Sequence, residues 1–301
     1  MPTLLRTLFR ALFRSLSRCP LGWLHSIGFV VGWAAYALSP TYRQRFVANA
    51  AQAGVTPAKA RPAIAAAGRL LMELPYLWLR PAEHSLSSKT TWDGEALIDA
   101  AHAQGRSIVL LTPHLGCFEV TAQAYAERYG PAHGPITVLY RPARKAWLRA
   151  LIDTSRNRPG LVAVPATLAG VRQLLRALRR GETVGLLPDQ VPPEGMGVWA
   201  PFFGRPAYTM TFAARLVQQS GALPLLIWGE RLPRGRGYVV HLSAFDEPLP
   251  EGTLAQAESA AAVNRAMERL IRQCPQQYLW GYHRYKHTAG VANADRAEQK
   301  D

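Results

Sequence analysis

A histidine followed five residues later by a glutamate, His114 and Glu119, is the pair in this 301-residue chain best suited to moving a proton. A carboxylate on one imidazole nitrogen fixes the tautomer and leaves the other nitrogen to take a proton from an attacking hydroxyl, which is general base catalysis. Two residues five apart on one regular helix point about 140° from each other, so both cannot lie in mid-helix and still touch. The intervening sequence, Ser107-Ile-Val-Leu-Leu-Thr-Pro-His-Leu-Gly-Cys-Phe-Glu119, reads as a buried strand, a turn marked by Pro113, and a helix with Glu119 in its first turns. Gly116 gives the backbone freedom for the bend. In open α/β sheets ligands bind beyond the carboxyl ends of strands, and His114 falls there. By spacing alone, a His-x4-Glu pair also describes a buried, satisfied histidine at a helix start, so other parts of the chain must decide.

The elements that position this pair alternate. Short aliphatic or β-branched runs at 107–112, 136–141, 161–164, 183–188, 223–228 and 238–243 are separated by amphipathic segments at 94–103, 118–129, 145–156, 168–180, 209–220 and 254–273. This alternation is the signature of an α/β sheet with crossover helices. Residues 41–80 are Ala-rich and read as a helical lead-in. The stretch 189–207, with four Pro and three Gly, reads as a long ordered loop suited to substrate contact, and 289–301 as a frayed polar tail. The domain expectation is a membrane-anchoring helical segment over 1–40, a catalytic domain over 41–288 and a disordered tail over 289–301.

Six blocks of residues, in order, carry a family resemblance. They are Thr112-Pro-His-Leu-Gly-Cys-Phe-Glu119, Tyr140-Arg-Pro142, Ser155-Arg-Asn-Arg-Pro-Gly160, Leu187-Pro-Asp-Gln190, Val198-Trp-Ala-Pro-Phe-Phe-Gly204 and Pro275-Gln-Gln-Tyr-Leu-Trp280, the last followed by Arg284 and Lys286. In these the chain resembles the lipid A late acyltransferases, the lauroyl/myristoyl acyltransferase family within the wider His-x4-acidic glycerolipid acyltransferases. The resemblance implies a glycerol-3-phosphate acyltransferase-like α/β fold, a central mixed sheet flanked by helices with an N-terminal membrane-associated helix. It implies transfer of a fatty acyl chain from acyl carrier protein to a hydroxyl of a lipid A precursor in lipopolysaccharide biosynthesis, at the cytoplasmic side of the inner membrane, with no cofactor and no metal. His114 would activate the acceptor hydroxyl and Glu119 orient the imidazole. Arg141 would meet a phosphate or the developing oxyanion, Arg156 and Arg158 would flank the acceptor headgroup, and Asp189 with Gln190 would shape the pocket. The chain departs from the family at Cys117-Phe118, where many members have Asn-Trp, and that difference bears on acyl-chain selectivity.

Charge and hydropathy point to a membrane without help from the resemblance. The formal net charge is +15, and the segment from Met1 to Met72 holds nine basic residues and no acidic one. Arg6, Arg10, Arg14 and Arg18 recur every four residues among Leu and Phe, a helical stripe of guanidinium groups. Near an anionic leaflet each contributes about 1 kcal/mol, so the stripe is worth about 4 kcal/mol. Leu21 to Leu38 then runs eighteen residues without a formal charge, near the lower limit for a bilayer span. A spanning or half-inserted anchor is the favoured reading over a signal peptide cleaved after Ala35-Tyr36-Ala37 or a buried helical hairpin. Moving an acyl chain of roughly ten methylenes through water costs about 8 kcal/mol, so an enzyme acting on such lipids must meet them at the bilayer. The same positive surface suits an acidic carrier protein and an anionic lipid.

Other classes lack support. No metal-finger, helix-turn-helix or ribonucleoprotein motif accompanies the basic charge, which removes nucleic acid as the expected partner. Cysteines at 19, 117 and 274 contain no CxxC pair, which disfavours a disulfide framework or zinc site. Cys117 reads as packing beside His114 and not as a nucleophile. His283 and His287 have no acidic ligand near them and read as basic surface. There is no Gly-x-Ser-x-Gly elbow, P-loop or His-Glu-x-x-His. The rival of a different class is a non-catalytic basic membrane-binding protein.

Overall fold

The run Ile-Val-Leu-Leu forms strand β2 (Ile108–Leu111), buried along its whole length. Ile108 and Leu110 point into one half of the core and Val109 and Leu111 into the other, as a strand covered by helices on both faces requires. The computed structural model describes residues 11–81, 84–140, 158–252 and 255–286. Around β2 are gathered β1 (Thr90–Asp93), β3 (Ile136–Tyr140), β4 (Leu161–Pro165), β5 (Thr183–Leu186), β8 (Leu223–Arg231) and β9 (Tyr238–Ala244). They form one mixed sheet in the order β1-β9-β8-β2-β5-β3-β4, parallel throughout except where β8 and β9 run antiparallel. The fold class is therefore α/β, as the alternation of runs predicts.

Helices cover both faces. After a helical stretch over 11–17 (α1) come α2 (Leu21–Leu38), α3 (Pro40–Gln52), α4 (Pro57–Ala60), α5 (Pro62–Leu79), α6 (Ala96–Ala103) and α7 (Phe118–His133). They are followed by α8 (Leu168–Arg179), α9 (Phe212–Ser220) and α10 (Gln256–Gln273). The starts of α3 and α8 are marked by side-chain caps from Ser39 and Thr167, short polar residues that satisfy a free N–H of the first turn. The helix expected over 145–156 lies outside the described residues.

Two expectations are corrected. Residues 197–210, read as part of a loop and the start of a helix, form a hairpin of β6 (Gly197–Phe202) and β7 (Arg205–Met210), and α9 starts only at Phe212. Its prolines hid it: Pro201 and Pro206 sit opposite each other in the register, tolerable because a two-stranded ribbon has free edges. The turn is closed by Phe203 and Gly204, both at positive φ. The four-residue β1 also escapes notice, being too short to show alternation, and is held by pairing with β9.

The apolar N-terminal helix packs along one face against α5. Gly28 and Gly32 of α2 meet Gly68 of α5 so closely that a Cβ on Gly68 would lie 2.0 Å from the Gly28 carbonyl oxygen. Two helix backbones approach to that distance only where side chains are absent. Beside this seam, His25 shares a hydrogen bond with the buried carboxylate of Glu73 (Nε2 to Oε1, 2.7 Å), and Arg231 of β8 donates to both oxygens of Glu73 at 2.6 Å. Arg231 also donates to the Gly116 carbonyl at 3.2 Å. The buried ion pair thus links α2 and α5 to the turn that carries His114.

Candidate active site

His114 leaves the sheet three residues after the end of β2, and Asp189 leaves three residues after the end of β5. Because β2 and β5 are parallel neighbours with Leu111 opposite Leu186, continuing that register past the strand ends places His114 opposite Asp189. The Thr112 N–H still donates to the Leu186 carbonyl at 3.1 Å, so the two chains stay together up to the site. Pro113 and Pro188 end the pairing at the same step, since neither has an N–H to give.

The two residues meet twice. Asp189 Oδ1 lies 2.8 Å from His114 Nδ1, and Oδ2 accepts the His114 backbone N–H at 2.9 Å. The Tyr278 hydroxyl donates to Oδ2 at 3.2 Å. Burial alone would raise the Asp189 carboxyl; the charge of His114, the hydrogen bonds from its ring and backbone, and the charge of Arg284 outweigh it and hold Asp189 below its ordinary value. An ionised Asp189 accepts the Nδ1 proton and leaves Nε2 with its lone pair. That nitrogen faces the Gln190 amide nitrogen at 3.2 Å.

The ring is fixed in orientation as well as tautomer. Tyr282 stacks on it at 5.6 Å and Phe118 approaches edge-on at 5.0 Å. The main chain behind it is pinned at three points, by Leu279 N–H to the His114 carbonyl (3.1 Å), Gly116 N–H to the Gln277 carbonyl (3.0 Å) and Cys117 N–H to the Gly229 carbonyl (2.7 Å). Gly116 has φ +59, and a Cβ there would lie 2.0 Å from the Gly229 carbonyl oxygen, so the turn admits no side chain at this position. His114 is 9% exposed, and Phe118, Gln190 and Tyr282 beside it are half-buried. The imidazole therefore stands at the surface end of the sheet.

The expectation that Glu119 orients the imidazole is not what the geometry gives, since the carboxylate on Nδ1 belongs to Asp189. Glu119 lies in the first turn of α7, and its Oε2 accepts the Trp78 indole N–H at 3.0 Å. Asp189, expected to shape the pocket, has the closer part, and Gln190 meets the other ring nitrogen. Arg158 donates to the backbone carbonyls of Arg80 and Pro81 (2.9 and 3.4 Å) just past the end of α5, a contact that ties two chain segments together. Arg141 and Arg156 lie outside the described residues. The sequence pattern does not mark Tyr278 and Tyr282 as site residues; the one signal is that Tyr278 falls inside the last shared block.

Further layers hold these groups. Arg284, 2% exposed, donates to the Tyr208 carbonyl, Thr209 Oγ1 and Asn264 Oδ1, fastening the β6–β7 hairpin beside the site. Cys117 is fully buried, and burial together with the Glu73 charge pushes its thiol well above the ordinary value, which suits packing and not nucleophilic attack. No group of three or more His, Cys, Asp or Glu suited to a metal ion occurs among the described residues.

A carboxylate-held imidazole at the end of an α/β sheet is an arrangement suited to acid–base chemistry. The family model for bacterial lipid A biosynthesis acyltransferases matches residues 6–287. The chain is 28% identical over 221 residues to the lipid A biosynthesis lauroyltransferase of Escherichia coli K12, covering 73% of this chain and 69% of the relative. It is 24% identical over 222 residues to the palmitoleoyltransferase of the same organism, covering 73% and 68%. It is 25% identical over 202 residues to a lipid A biosynthesis acyltransferase of Haemophilus influenzae, covering 67% and 60%. The protein belongs to the bacterial lipid A biosynthesis acyltransferase family and is an acyltransferase.

Proposed function

We propose that this protein transfers a fatty acyl group from the thioester of acyl carrier protein to a hydroxyl of a lipid A precursor, at the cytoplasmic face of the inner membrane. The observation that carries the reading is the double hold of Asp189 on His114, which leaves Nε2 as a base. In the reaction, His114 Nε2 takes the proton of the acceptor hydroxyl while that oxygen attacks the thioester carbonyl. The resulting oxyanion collapses, the carbon–sulfur bond breaks, and the departing thiolate recovers a proton from the imidazolium. Asp189, ionised at the start, stabilises the imidazolium between the two steps. The Gln190 amide occupies the place at Nε2 that the acceptor hydroxyl must take, so it yields as the lipid enters.

Arg141 is assigned to the developing oxyanion or an acceptor phosphate, and Arg156 to the headgroup, on the family pattern. We also infer that the sheet is of the glycerol-3-phosphate acyltransferase-like type, because the His-x4-Glu segment spans the turn from a central strand to its following helix. The acidic carrier protein suits the +15 charge of the chain.

The test is acyl transfer in purified membranes by wild type and His114→Ala, paired with mass spectrometry of lipids from a strain lacking the gene. The expected result is loss of nearly all transfer in the variant and one missing secondary acyl chain on lipid A in the strain. Full transfer by His114→Ala rejects the catalytic assignment, and an intact lipid A with a changed phospholipid or amino-acid lipid names a different acceptor.

A further inference from the structure

We propose that α2 lies in the plane of an anionic membrane leaflet, one face clamped to α5 and the other among the acyl chains, and does not cross the bilayer. This rests on the reading above that the acceptor is a membrane lipid, and adds how the protein sits on that membrane.

The two faces of α2 are chemically distinct in use though both apolar in type. Leu21, Leu24, His25, Gly28 and Gly32 are buried against the body of the protein. On the opposite side Trp23, Ile27, Val30, Ala34 and Leu38 recur at helical spacing and are exposed, Trp23 to 71%, Val30 to 64% and Leu38 to 83%. Phe29 and, on α5, Leu71 widen the patch, at 47% and 52%. A continuous exposed apolar stripe of this length needs a partner.

The rim says which partner. Arg14 and Arg18 precede the helix and are exposed. Arg43 donates to the Tyr36 and Ala37 carbonyls at its far end. Arg61 stands over the Trp33 ring and Arg69 over the Phe29 ring, at 5.3 and 5.9 Å. The first acidic residue of the chain, Glu73, is fully buried, so no carboxylate from the first 72 residues opposes these arginines. An apolar stripe ringed by guanidinium groups is complementary to acyl chains beneath anionic headgroups.

Crossing the bilayer is opposed by the same contacts. Among the described residues α2 is the one helix long and apolar enough to span, but its eighteen residues rise about 27 Å against a hydrocarbon core of about 30 Å. To span, it would have to leave α5, break the His25–Glu73 hydrogen bond and carry His25 into hydrocarbon. Arginines at both ends suit a helix whose two ends share one headgroup layer.

The test uses the full chain in a Cys19→Ser background, where the remaining Cys117 and Cys274 are buried. Trp23→Cys, Val30→Cys and Leu38→Cys are each labelled with an environment-sensitive fluorophore. The proteins are bound to vesicles of phosphatidylethanolamine and phosphatidylglycerol, with bromine quenchers at known acyl-chain depths. All three sites are expected at the same shallow depth. Val30 at the midplane with Leu38 quenched from the trapped interior would overturn the proposal, as would no quenching at any site in protein that still sediments with the vesicles. Val30→Asp is expected to lower vesicle partitioning at least about tenfold with an unchanged melting temperature, because the side chain faces outward; unchanged partitioning also overturns it. Acyl transfer is measured in the same vesicles, and its absence with three equal shallow depths supports the placement of α2 while counting against the acyl-transfer reading alone.

Discussion

Asp189 grips His114 by two different groups at once, the ring nitrogen with one carboxylate oxygen and the backbone N–H with the other. The carboxylate therefore sets both where the imidazole stands and which nitrogen carries its proton. Replacing it with Asn keeps the shape and permits the wrong tautomer. We expect Asp189→Asn to lower kcat by roughly 10²- to 10⁴-fold with little change in KM. Glu119→Gln, measured alongside, separates the two carboxylates: if the acid limb of the pH–rate profile moves in the Glu119 variant and stays in the Asp189 variant, Asp189 does not serve the imidazole.

Gly116→Ala tests how tightly the turn is defined. The added methyl meets the Gly229 carbonyl at a distance no real Cβ tolerates, and φ is positive. The cost is expected at about 1–3 kcal/mol in urea unfolding, with kcat reduced at least about tenfold because His114 shifts. A variant of wild-type stability and rate would show that the turn has slack.

Glu73 sets a stability threshold in acid. Burial would raise its carboxyl, but the charge of Arg231 and hydrogen bonds from His25 and Arg231 bring it down from 4.5 to about 2. A carboxyl depressed on folding contributes stability in full above its unfolded value, near 4.5, and loses it as pH falls toward 2. The stake is roughly 3 kcal/mol. Unfolding free energies measured between pH 7 and 3 should fall in wild type below about pH 4.5. Glu73→Gln should start lower by about 3–5 kcal/mol, because Arg231 is left buried without its partner, and lack that part of the slope.

Cys117, close in the chain to His114, should be dispensable for turnover. Cys117→Ser is expected to keep acyl transfer within about threefold of wild type. In the native protein a maleimide should label Cys19 alone, since Cys117 and Cys274 are buried and burial, with the Glu230 charge, pushes the Cys274 thiol to about 12. Loss of activity on Cys117→Ser in a protein of unchanged melting temperature would reopen covalent catalysis.

Arg158→Ala separates a structural role from a headgroup role. Its guanidinium is held by two backbone carbonyls, so about 1–2 kcal/mol of stability should go while KM for the lipid acceptor stays. A raised KM with unchanged stability would return Arg158 to the acceptor site.

How far this was legible in the sequence differs by residue. The position of His114 followed from a strand, a proline and a glycine in the right order, all local signals. Its true carboxylate did not, because Asp189 is distant in sequence and reaches the ring only once β5 is known to lie beside β2. Strand order depends on how helices pack over the sheet, which one sequence does not state. A clue existed: Thr112-Pro-His114 and Leu187-Pro-Asp189 follow their strands at the same distance. The β6–β7 hairpin was hidden for another reason, that Pro201 and Pro206 reduce the local strand signal while tertiary contacts such as Arg284 to Thr209 restore it.

The glycine seam between α2 and α5 bears on how this enzyme can be handled in the laboratory. Removing an apolar N-terminus is a common way to obtain a water-soluble version of a lipid enzyme. Here that cut would uncover Gly68 and its apolar neighbours on α5, take His25 from Glu73, and loosen the arginine that holds the Gly116 carbonyl. Detergent or nanodiscs around the intact chain are the better route, because the segment that resembles a detachable tether is part of what keeps the turn of His114 in place.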